Sequence, residues 1–151
     1  MTSAQIKHEI AVTSAQIGET VDTLKQLGKD QADMERLAAR QKAVRNTVES
    51  DLQARTRRLN RAGIDPARVR SFAGYHAAMS SKLAAGSKIL AKLAKASDKI
   101  AHARDDIESQ IHMQTVRRGN LQDHLTWLHS QLASAEAAEA AEKAAKAGVA
   151  A

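Results

Sequence analysis

The chain has no cysteine. That excludes disulfides, thiol catalysis and cysteine metal sites, and it leaves the redox compartment open. It has one proline and three aromatic residues, Phe72, Tyr75 and Trp127, in 151 residues. So few aromatics exclude an ordinary globular core, and so little proline fits helices well beyond the usual 11–12 residues or so. No apolar run approaches the ~20 residues that cross a bilayer. The opening MTSAQIKHEIAVTSAQIGET lacks a basic stretch followed by an apolar one, so it does not read as a cleavable signal peptide. The expectation is a soluble, cytoplasmic protein without membrane insertion.

What is present is a seam. Steps of three and four residues run from Val69 through Phe72, His76, Met79, Leu83, Gly86, Leu90, Leu93, Ser97 and Ile100 to Leu121, Leu125, Leu128 and Leu132. Most of these positions are apolar. This spacing marks a coiled-coil helix whose narrow stripe needs a partner helix. A first helix shows the same period through Ile6, Ile10, Thr13, Ile17, Thr20, Leu24 and Leu27, then more weakly through Ala38, Gln41 and Arg45 to Leu59. Gly18 and Gly28 each weaken it by roughly 1 kcal/mol relative to alanine.

Between the seams lies Asn60-Arg61-Ala62-Gly63-Ile64-Asp65-Pro66. Gly63 suits a helix C-terminus, Asp65 an N-cap and Pro66 the first helical position. Ile64 and Val69 occupy the positions of a hydrophobic staple. The expectation is an all-α fold, a long antiparallel two-helix coiled-coil hairpin, monomeric or weakly associating. Its first helix spans about 3–60, its loop 61–65 and its second helix 66–137, with an alanine-rich tail over 138–151 that frays.

Pairing residues whose numbers add to about 127–128 sets Gln41 across from Gly86, Gln31 from Ser97 and Thr13 from Gln114. Polar layers at matched heights fix register in coiled coils. In that register Ile6 meets Leu121, and Leu125, Leu128 and Leu132 extend beyond the first helix with Trp127 beside them. Such an exposed apolar stripe marks a binding surface; self-association or a register that covers it is the plain alternative.

The charge of +6 is uneven. Residues 55–70 hold six arginines (Arg55, Arg57, Arg58, Arg61, Arg68 and Arg70) against Asp65 alone, and residues 71–100 add five lysines against Asp98. The basic stretch fits three readings: docking to an acidic protein surface, a solvated helix end, or phosphate contacts with nucleic acid. Interleaved aromatics are scarce, which makes nucleic acid the weakest. Phe72 lies on the seam and suits packing; Tyr75, beside it, suits contact. No metal is expected, because His102 and His112, or His124 and His129, lack the i, i+3 or i, i+4 spacing of a helical site. The adjacent acids Asp105, Asp106 and Glu108 read as a solvated face. No catalysis and no cofactor are expected, since a two-helix rod offers no concave pocket.

Ala62-Gly63-Ile64 followed by Arg68, Phe72 and Tyr75, at the head of a long heptad helix, resembles the FliJ/YscO family of type III secretion. The layout of the whole chain is similar, and about fifteen residues carry the motif. The resemblance implies a stalk-like antiparallel coiled coil that binds the hexameric export ATPase and links it to the export gate protein, with secretion chaperones as further partners. It places the protein in the cytoplasm, peripheral to the inner-membrane export apparatus. It implies that Leu125, Trp127, Leu128 and Leu132 face the ATPase and that Arg55 to Tyr75 face the gate. Pro66 and the alanine-rich second helix depart from the family pattern. A basic nucleoid-type coiled coil and a phasin-like granule coat stand as alternatives.

Overall fold

A computed structural model describes residues 1–62 and 69–150, with the side chains of 62, 69–76 and 150 left aside. The fold is all-α: α1, Ser3–Ala62, and α2, Val69–Ala150, pack against each other antiparallel. No strand occurs among the described residues. The expected turn over Gly63–Pro66, with its Asp65 cap, lies outside them.

The start of α1 is written locally. The Thr2 hydroxyl accepts a hydrogen bond from the Gln5 N–H at 3.3 Å, and the Gln5 side-chain oxygen accepts one from the Thr2 N–H at 2.9 Å. This reciprocal pair is a capping box. The Ile6 N–H then donates to the Thr2 carbonyl at 3.1 Å, and the helix is under way. Along both helices, pairs such as Arg45–Glu49 and Lys146–Glu142 at i, i+4 add a few tenths of a kcal/mol each, roughly.

The chain divides into two packing units, Met1–Asp30 with Ile107–Ala151, and Gln31–Asp106. In the first, the most enclosed positions of α1 are Ile6, Thr13, Thr20 and Leu27, one every seven residues. Ile10, Ile17 and Leu24 fill the steps between them, half-buried. The period of seven puts all of them on the stripe that a slightly supercoiled helix keeps turned to its neighbour. From α2 come Leu128, fully buried, and Ile107, Ile111, Leu121, Leu125 and Leu132, half-buried.

The register differs from the expected one. Ser3 meets Glu139 and Lys7 meets Glu136, so paired numbers here add to 142–143. Leu125, Leu128 and Leu132 therefore lie within the paired segment and do not extend beyond α1. The tail differs too. It continues α2 to Ala150 because alanine, glutamate and lysine are strong helix formers, and Glu136 and Glu139 tie it to α1.

In the second unit the contacts are sparser. Gly86 is the one fully buried residue there among the described ones. A Cβ at Gly86 would overlap the Leu52 side chain, so glycine makes the socket and leucine fills it. Gln41 makes a clasp: its amide donates to the Leu93 carbonyl at 3.4 Å, and its oxygen accepts from the Ser97 hydroxyl at 3.2 Å. Gln41–Ser97 and Leu52–Gly86 both add to 138. Polar does meet polar, but Ser97 takes Gln41 where Gln31 was expected. The shift is about eleven residues, close to three helical turns, so the same faces meet in either register. Packing decides between them, because Gly86 requires a bulky side chain opposite.

Candidate functional site

The four residues expected at the ATPase-facing end divide sharply. Leu128 is 0% exposed and belongs to the core; Leu125 and Leu132 are half-buried beside it. Only Trp127, at 50% exposure, faces solvent. The leucines therefore do not form an open docking stripe, because the seam they stand on is the one α1 covers.

Trp127 instead belongs to a second stripe. Its ring stacks on the His124 imidazole, with centroids 5.6 Å apart and planes 18° off parallel. Further back on the same face stand Val116 at 49% and Met113 at 60% exposure. Arg117, Asn120 and Leu121 complete a groove along that face. At about 100° per residue, this stripe lies roughly a third of a turn around α2 from the seam. It passes unnoticed in a search for the best heptad, since the seam outscores it. The signal was available in Met113, Val116 and Trp127 sharing one face.

The basic residues are scattered by role. Arg55 is half-buried and engaged, its Nε donating to Asp51 at 2.8 Å. Arg57, Arg58 and Arg61 are exposed. Arg68 and the side chains of Arg70, Phe72 and Tyr75 lie outside the described residues, so the hairpin-end cluster is seen only in part. A cationic row that sequence reading counted without placing lies on α2. Lys88, Lys92, Lys95 and Lys99, spaced by four, three and four, share one exposed face turned away from the seam. Among the described residues none of the four pairs with a carboxylate.

Near the start of α1, the Ser3 N–H donates to one Glu139 oxygen at 3.0 Å and the Ser3 hydroxyl to the other at 2.9 Å. These bonds hold the Glu139 carboxyl below its ordinary range. The carboxylate answers a free N–H of the first turn of α1, which carries no acid of its own. One turn on, Lys7 Nζ meets Glu136 at 2.8 Å, and that hydrogen bond and charge raise the lysine. Both pairs read as fastening of the helix ends, not as chemistry.

Among the described residues, no three histidines, aspartates or glutamates gather as a metal site would need. Nor is any helix there long and apolar enough to cross a membrane. Comparison with known protein families, with curated proteins and with solved structures gives no match.

Proposed function

We propose that this chain is a non-enzymatic stalk or adaptor of a type III secretion or flagellar export apparatus, binding the hexameric export ATPase and linking it to the export gate. The observation that carries the reading is the antiparallel packing of two helices of 60 and 82 residues along a single seam. That is the architecture the resemblance around Ala62–Tyr75 implies. A molecule so built presents most of its side chains outward and works by contact.

In this reading the ATPase contact on the unit with the chain ends falls to Trp127, since Leu128 is committed to the core. The gate contact falls to Arg57, Arg58 and Arg61 with the arginines that follow. The test is capture of partners from lysate by the intact chain, by W127A and by R57E/R58E/R61E, identified by mass spectrometry at low and high salt. Recovery of a hexameric ATPase that W127A loses supports the reading. Failure of the intact chain to capture any export component sinks it.

One observation favours a second reading, a nucleic-acid-binding helical protein. The row Lys88, Lys92, Lys95 and Lys99 spans about 16 Å and could follow a phosphate backbone. Binding of duplex DNA that weakens steeply with salt, and by a reduced salt slope in K92E/K95E, would favour it over the export reading.

A further inference from the structure

The second stripe of α2 has a property that its exposure alone does not give. Met113, Val116, Asn120, His124 and Trp127 are spaced three, four, four and three. The spacing reads the same from either end, with Asn120 at its centre. An isologous contact between two helices running in opposite directions needs that symmetry, because each residue on one side of the axis must meet its counterpart on the other.

We propose that two copies of this chain pair through this stripe, α2 against α2, antiparallel about a twofold axis at Asn120. Met113 of one copy then stands level with Trp127 of the other, and its thioether meets an indole face. Val116 stands level with His124. Asn120 meets Asn120 on the axis, where two carboxamides can exchange hydrogen bonds, and a central polar layer fixes register at a cost in strength. Flanking charge agrees. Arg117 and Asp123 lie at equal distances from Asn120, so the antiparallel pair levels each arginine with an aspartate of the second copy. A parallel pair would level arginine with arginine.

A partner helix of different sequence would have no use for a symmetric stripe, which is why a second copy is the chosen occupant. The stripe from Met113 to Trp127 is about 21 Å long. It buries less than the ~800 Å² per partner of a stable complex, so pairing is concentration-dependent. It rests on exposed residues of one packing unit and is independent of the export reading.

The test uses the full chain. Sedimentation velocity from about 5 to about 500 μM should show the mass rise from one chain, 16.3 kDa, toward two. W127A and M113E should each weaken association roughly tenfold or more while keeping the helical circular dichroism signal. A chain free of cysteine allows the geometry to be read directly. Under mild oxidation N120C should link to itself. M113C and W127C should each link poorly alone and readily when mixed, since the opposite end of that mixed pair keeps its native Met113 and Trp127. Mass that stays at one chain throughout overturns the proposal. So does self-linking of N120C no faster than that of K92C on another face, or self-linking of M113C faster than N120C, which would mean parallel pairing.

Discussion

Two threonines occupy the innermost column of α1. Thr13 and Thr20 are buried where Ile6 and Leu27 stand above and below them, and the Thr20 hydroxyl turns back to the Gln16 carbonyl at 2.8 Å. Such back-bonding satisfies the hydroxyl without adding apolar contact. T13V and T20V should each raise stability by about 1 kcal/mol, seen as a higher midpoint in thermal unfolding. A lower midpoint for both would show that the hydroxyls are needed in the seam. Glu139 permits a sharper test. A carboxyl whose folded pKa is depressed adds stability above its unfolded pKa and loses it as pH falls through the folded value. E139Q should therefore be less stable than the intact chain at neutral pH, with the gap closing below about pH 4. A gap unchanged with pH would remove charge from the account. Thr2 and Gln5 show what single residues announce in advance, since T-x-x-Q is a capping signature readable without coordinates. Glu139 announces nothing, because its partner lies 136 residues away.

At the scale of the helices, glycine has opposite meanings at different places. A Cβ at Gly18 or Gly28 would meet nothing within 4 Å, whereas one at Gly86 would strike Leu52. G18A and G28A should each stabilise by up to about 1 kcal/mol in denaturant unfolding. G86A should destabilise despite the same gain in helix propensity, and L52A in the G86A background should recover part of the loss. Equal stabilisation at all three glycines would mean that Leu52 does not fill the socket. Adjacent residues on α2 should diverge just as clearly: L128A should cost about 2–4 kcal/mol by opening a cavity, and W127A within about 0.5 kcal/mol, as at an exposed site. The seams and the antiparallel hairpin were legible because a heptad period repeats over many turns. The register was not, because a slide of three turns preserves every face, and only the volume matched between Leu52 and Gly86 rejects it. That error alone made Leu128 look exposed.

For the molecule as a whole, the sequence legibly offers a surface for contact and no assembled chemistry, but contact surfaces are harder to read than cores. A covered stripe and an uncovered one have the same periodicity; Leu121, Leu125 and Leu128 follow the same rule as Met113, Val116 and Trp127. Only the placement of α1 separates them. Charge was legible as a count, and the fold turned part of that count into a row at Lys88, Lys92, Lys95 and Lys99. Within the unit Gln31–Asp106, the Gln41 clasp and the Gly86 socket act together in a way neither does singly. A one-heptad slide in one direction would drive Arg45 against Gly86. The reverse slide would offer Leu59 to the socket but strand Ser97 against Val48 and bring Gln41 to Arg104. Each neighbouring notch is thus blocked by a different misfit, like a ratchet with pawls facing both ways. This stretch of the hairpin cannot relay a signal by one helix gliding along the other; what it transmits, it transmits by bending or by moving as a piece.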